Sequence, residues 1–249
     1  MMGFEWPLIA WALAVFTLAG VVKGAAGFGF PMVSVPLLAQ VMPVPQAIAW
    51  ALVPTFAANL VQMVETRAHA AVVRSIWPLL AVLYPVMLAT VRLVPSMDPR
   101  SLYLMVGVLI EVAALMQLMG RIPRVEGRVR LPLLLAAGAA TGVLGGLTSF
   151  YGFPALQAFL AIGLSAHAFV FAASVMFLVG TLVLGAGLST LGILGLDDLL
   201  VSSLGLPTMA LGLAIGQRIR HRASPALFRN LVLATLFAVG ISMIAKGLA

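Results

Sequence analysis

The residues with the clearest chemical potential lie in two short glycine-rich stretches. The first is Lys23-Gly24-Ala25-Ala26-Gly27-Phe28-Gly29-Phe30-Pro31, and the second is Thr148-Ser149-Phe150-Tyr151-Gly152-Phe153-Pro154. Each ends in Gly-Phe-Pro, and each interrupts a long apolar run. Glycine permits tight turns and close backbone approach. Proline suits the first helical position, where its missing N–H costs nothing. A helix starting at either proline would present free N–H groups and the positive end of its dipole. Two such ends facing one another make a site for a small anion, walled by Phe28, Phe30, Phe150, Tyr151 and Phe153. The competing reading of glycine in such runs is close helix packing. Gly138, Gly142 and Gly146, spaced by four, are read that way.

Lys23 is one of only two lysines, the other being Lys246 near the C-terminus. It is expected at the first break, where it would add a point charge for an anion. An ionisable group at membrane depth is costly and usually functional. Snorkelling to an interface is the bland alternative. Glu111 is the only acidic residue inside an apolar helix, and it either pairs with Lys23 or carries a coupling proton. Ser34 and Gln157 fall at matching positions just past the two triplets. Asn59 and Gln62 are read as hydrogen-bond formers between helices. The expected anion site is thus Lys23, Gly24, Gly27, Phe28, Gly29, Phe30, Pro31 and Ser34, with Ser149, Phe150, Tyr151, Gly152, Phe153, Pro154 and Gln157.

Other chemistries are weaker. Ser149 and His167 could be imagined as nucleophile and base, but no Gly-x-Ser-Gly-type turn is present and no acid lies near either. His69, His167 and His221 are scattered, and there is no cysteine, which disfavours metal sites and excludes disulfides. No catalytic residue, metal or cofactor is expected.

The elements that must hold these stretches are membrane-spanning helices. The chain is 63% hydrophobic and 8% charged, against roughly 25% charged in soluble domains. A water-facing surface cannot be built from so few charges. At least six apolar stretches approach the ~20 residues that cross ~30 Å of hydrocarbon. The net charge of +7 comes from arginines in short links, as membrane topology demands, and not from a nucleic-acid surface. Glu5, with no Lys or Arg near it, is wrong for a secretory leader, so the first run is read as retained.

Apolar runs are expected at about Pro7–Val22, Pro31–Met42, Pro45–Val64, Ile76–Val94 and Ser101–Met119. After the basic link Arg121–Arg130 the pattern restarts with Leu131–Leu147, Pro154–Gly163, Ala166–Leu188, Leu199–Gly216 and Ala226–Ala245. Gly20-Val21-Val22-Lys23-Gly24 aligns with Gly142-Val143-Leu144-Gly145-Gly146, and Gly29-Phe30-Pro31 with Gly152-Phe153-Pro154. His167 aligns with Gln46. Internal symmetry of this kind marks many secondary transporters. The organisation is therefore a first membrane repeat over 1–120, a basic cytoplasmic linker over 121–130 and a second membrane repeat over 131–249.

The linker carries Arg121, Arg124, Arg128 and Arg130 against Glu126, net +3. A second loop carries Arg218, Arg220, Arg222 and Arg229, net +4, with His221 beside them. Both should be cytoplasmic, and the link holding Asp197 and Asp198 should be outside. Three crossings then follow Pro154–Gly163, so Leu131–Gly163 must enter and return to one side as a broken hairpin. The same argument puts the Glu65–Arg74 loop inside and both termini in the periplasm of a bacterial cytoplasmic (inner) membrane. The Arg92–Arg100 loop, at net +1, is a mild violation outside. The fold expected is an all-α polytopic membrane protein of two inverted-topology repeats. Each is a re-entrant Gly-rich hairpin plus three transmembrane helices.

Gly20–Leu38, with its glycine-rich turn and Val35-Pro36-Leu37, resembles the signature of the TauE/SafE superfamily of sulfite exporters. So do the second copy at Gly142–Leu160 and the run Pro207…Gly212…Gly216…Arg218. The sharp motif covers some forty residues, and the layout covers the chain. The usual Gly-Gly-Gly run is replaced by Gly27-Phe28-Gly29-Phe30 and by Ser149-Phe150-Tyr151-Gly152-Phe153. The resemblance implies export or exchange of a small anion: sulfite, a sulfonate or another organosulfur or carboxylate anion. A channel fits inverted hairpins as well as a carrier does. The expected partners are that anion and the lipid bilayer, with a homo-oligomer left open and no nucleic acid.

Overall fold

A computed structural model describes residues 6–26, 29–118, 123–222 and 225–248. Gly27, Phe28 and Arg121 lie outside the described residues, as do the side chains of Arg220, His221, Arg222 and Arg229. The described residues form α1 (Trp6–Ala26), α2 (Phe30–Leu38), α3 (Val44–Glu65), α4 (Val73–Val91) and α5 (Pro99–Leu118). Then follow α6 (Arg130–Thr148), α7 (Ala155–Ala161), α8 (Ala166–Thr190), α9 (Leu196–Arg222) and α10 (Pro225–Leu248). A 3-10 turn, Arg67–Val72, leads into α4. Among the described residues seven helices are long and apolar enough to cross a membrane, and Leu233–Leu248 of α10 is a shorter apolar one. The chain is an all-helical, multi-pass membrane protein.

Each glycine-rich stretch joins a long helix to a half-length one that turns back along it. In the first hairpin the Phe16 and Phe30 rings stack at 6.1 Å, so α2 starts beside the middle of α1. The Trp11 Nε1–H then donates to Leu37 O at 3.1 Å, so the far end of α2 lies near the start of α1. In the second, Ala155 N–H donates to Thr141 Oγ1 at 3.0 Å, again at mid-helix. Val125 N–H, just ahead of α6, donates to Ala161 O at 2.8 Å. Each half-helix thus starts beside the middle of its long helix and ends near the start of that helix.

The first break is shorter than the sequence suggested. Helix α1 runs on through Lys23-Gly24-Ala25 to Ala26, and α2 begins at Phe30. The cause is packing. A Cβ on Gly20 or Gly24 would run into the backbone of Met209 or Leu213 on α9, and one on Gly212 or Gly216 into that of Thr17 or Val21 on α1. Gly24 is thus a contact glycine and not a turn glycine. Gly138, Gly142 and Gly146 serve α6 likewise, facing Leu79, Leu83 and Met87 of α4. Small residues at these spacings let backbones approach where lipid offers no hydrophobic drive. Helix α9 also continues to Arg222, past the end of its apolar run, because polarity alone does not end a helix.

The packing partners exchange places when the two halves are swapped. Helix α1 packs on α9 while α6 packs on α4, and α3 pairs with α8 as α5 pairs with α10. Lys246 of α10 donates to Ala39 O at 2.7 Å and Gln40 O at 3.0 Å. A cation there suits the negative end of the α2 dipole.

Candidate functional site

The two hairpin tips meet. Gly29, Pro31 and Met32 of the first face Ser149, Phe150, Tyr151, Gly152 and Phe153 of the second across a cavity of about 280 Å³. Leu156, Gln157 and Leu160 of α7, Phe169 and Phe177 of α8 and Ala113 of α5 complete its wall. Its size is near the lower end of the ~300–1,000 Å³ range of small-molecule clefts. Among the described residues the lining holds four phenylalanines and no ionisable group other than Tyr151.

Local chemistry fixes the second tip. Ser149 ends α6 in the left-handed conformation, φ 61°. Its N–H donates to Gly145 O, and the Thr148 hydroxyl takes the Phe150 N–H at 3.1 Å. Tyr151 is 1% exposed, its ring packed on Gly145 and Gly180. Its hydroxyl donates to Phe177 O at 3.2 Å and lies 2.8 Å from Thr181 Oγ1. The Phe153–Pro154 peptide is cis.

The expectation of free N–H groups at both half-helices needs correction. At α7, Ala155 N–H is taken by the Thr141 hydroxyl and Leu156 N–H by Gly152 O at 2.9 Å. At α2, Gly29 is the N-cap at φ 95°, Pro31 stands in the first turn and no side chain caps the end. Among the described residues, then, the half-helix start without a side-chain cap is that of the first hairpin, and its Gly29 and Pro31 border the cavity. Gln157 adds a polar atom, since its Oε1 is buried without a hydrogen-bond partner.

Several expected site residues lie elsewhere. Phe30 is fully buried against Phe16, and the Ser34 hydroxyl turns back to Phe30 O at 2.9 Å. Pro154 does not reach the cavity wall, and Gly24 abuts α9. Lys23 is also outside it. It is 3% exposed, and its ammonium donates to Asn59 Oδ1 at 2.8 Å and to Gln62 Oε1 at 3.1 Å. Beside it is a small polar recess lined by Gly24, Gln62, Glu65 and Gln217. Ser174 of α8 donates to the same Gln62 oxygen, linking the two halves. Lys23 and Glu111 do not pair: Glu111 sits against Gly240 of α10, and its Oε1 is buried without a partner.

Ser149 and His167 are not assembled either. Among the described residues no hydrogen bond joins the two, and the His167 ring stacks instead on His69 at 5.4 Å. Sequence reasoning missed Met32, Ala113, Leu156, Leu160, Phe169 and Phe177 as wall residues. They reach the cavity only through the packing of α2, α5, α7 and α8, which leaves no local signal.

Two broken hairpins meet at a cavity inside a multi-pass helical bundle. The chain matches the family described as sulfite exporter TauE/SafE over residues 12–243. That is most of its length, so the chain belongs to the TauE/SafE family. No curated protein and no solved structure gave a match.

Proposed function

We propose that this chain is a secondary transporter, working as an exporter, of a small anion held between the two hairpins near the membrane midplane. The carrying observation is the 280 Å³ cavity that joins both breaks in a chain of an exporter family. The N-terminus of α2, which no described side chain caps, favours negative charge through its dipole. The phenylalanine wall favours an anion with an apolar body. Among sulfite, sulfonates and carboxylates, organic sulfonates fit that wall best. Swapped packing partners and same-side hairpins support two inverted repeats rocking about the site. With the basic loops cytoplasmic, both termini are periplasmic in a bacterial inner membrane.

A ligand screen on the purified protein tests this. At a hundred times its Kd a bound anion stabilises by about 2.7 kcal/mol. In a protein of this size that raises Tm by roughly 5–10 °C. At least one anion among sulfite, alkyl and aryl sulfonates and small carboxylates should give such a shift. A flat response across all of them would remove the anion site.

We assign coupling to Glu111, whose buried carboxylate oxygen has no partner and whose helix contributes Ala113 to the wall. Glu111→Gln should abolish the pH dependence of transport and leave the anion-induced Tm shift in place. A pH profile unchanged by the substitution would clear Glu111 of that role.

A further inference from the structure

Two contacts at opposite ends of the α3–α8 pair occupy equivalent places in the two halves. At one end Gln46, in the first turn of α3, donates to Asp198 Oδ1, in the first turn of α9. Trp50 Nε1 donates to the same oxygen at 3.1 Å. Ser202, one turn further along α9, donates to Trp50 O at 2.5 Å and accepts Val53 N–H at 3.0 Å. At the other end His167, in the first turn of α8, stacks on His69 at 5.4 Å between ring centroids and 14° between planes. His69 belongs to the turn that leads into α4.

The sequence repeat places His167 where the first half has Gln46. Each contact joins the helix after the hairpin in one half to the start of the next helix in the other half. The two are therefore the same contact, built from different side chains. They are also far apart. Helices α3 and α8 run antiparallel, since Gln62 meets Ser174 while Leu52 meets Gly185. Counting at 1.5 Å per residue from Gln46 to Gln62, and from Ser174 back to His167, separates them by roughly 34 Å. That is about the thickness of the hydrocarbon layer.

We propose that the Gln46–Trp50–Asp198 contact is the periplasmic gate of this transporter and the His69–His167 stack its cytoplasmic gate. The proposal rests on the transporter reading above. Rocking one half against the other opens a face only by parting the cross-half contact on that face. Equivalent contacts on opposite faces must then part in alternation. Phe169, one half-turn along α8 from His167, lines the cavity, so the cytoplasmic gate moves with its wall. The Lys23–Gln62–Ser174 link lies between the gates and holds α3 to α8 while either one parts.

The chain has no cysteine, so any thiol introduced is the only one available to a reagent. One double variant carries Gln46→Cys with Asp198→Cys, and the other His69→Cys with His167→Cys. Each is reconstituted, and sulfonate flux is compared before and after bridging with a short bis-maleimide. Bridging either pair should cut flux at least tenfold. A bridged pair that carries anion as fast as its unbridged form would overturn the assignment. Sidedness is read in intact cells from the exposed neighbours, with Asp197→Cys and Ala166→Cys as single variants. An impermeant maleimide should label the first from outside and spare the second. Labelling of both from one side would overturn the proposal even where a double variant fails to transport. If the unsubstituted protein moves no anion while the two positions still label from opposite faces, the transporter reading fails and the placement of the two contacts stands.

Discussion

Replacing Gly152 by leucine should reduce anion flux at least tenfold while leaving the protein folded. A Cβ at Gly152 comes no closer than 3.4 Å to Leu156 Cδ1 and Phe177 Cζ, which is ordinary contact. Gly152 is not among the described glycines with positive φ, so the backbone accepts a side chain without strain. The rest of the leucine has nowhere to go but the cavity, whose wall both neighbours form. Gly145 is the control. A Cβ there would stand 2.6 Å from Tyr151 Cβ, so Gly145→Ala forces the buried tyrosine out of place. Overpacking of this kind typically costs 1–3 kcal/mol, about 2–12 °C in Tm for a protein of this size. Flux assays and melting curves on the two variants separate blocking from unfolding. Normal flux through Gly152→Leu would move the permeation path away from the hairpin tips.

Lys23→Ala should show the opposite pattern. Asn59 Oδ1 and Gln62 Oε1 would lose their ammonium donor inside the bundle. Leaving a buried polar group unsatisfied costs about 1–3 kcal/mol. The ligand-free protein should therefore melt roughly 2–12 °C lower. The Tm increment produced by a bound anion should persist, because Lys23 does not line the cavity between the hairpins. Loss of that increment with little change in the ligand-free melting temperature would return Lys23 to the anion site.

Lys23 shows what the sequence could and could not convey. Its depth in the membrane and its rarity were both legible, and so was the presence of a break nearby. Its placement was not, because a glycine that opens a turn and a glycine that admits a neighbouring backbone look alike in a sequence. Gly24 is the second kind, and the helix carries Lys23 past the expected break to Asn59 and Gln62. Gly138, Gly142 and Gly146 are of the same kind, and there the spacing by four was enough to read close helix packing. The two breaks were legible because each glycine-rich stretch interrupts a long apolar run. Their tips meet as the matched Gly-Phe-Pro triplets suggested. The rest of the cavity wall was not, since residues such as Ala113, Phe169 and Phe177 sit in apolar helices with nothing local to mark the face they present. Thr141 was hidden in the same way, and its hydroxyl satisfies the Ala155 N–H that the sequence reading left free for an anion.

The most direct test of the account is flux in proteoliposomes that contain only this protein. Sulfite, an alkyl or aryl sulfonate and a small carboxylate are loaded in turn, and their movement is followed against protein-free vesicles and vesicles holding Gly152→Leu. The account predicts saturable movement of at least one of these anions, greatest for an organic sulfonate, and its loss in the Gly152→Leu vesicles. Movement no faster than in protein-free vesicles for every anion tried would contradict it.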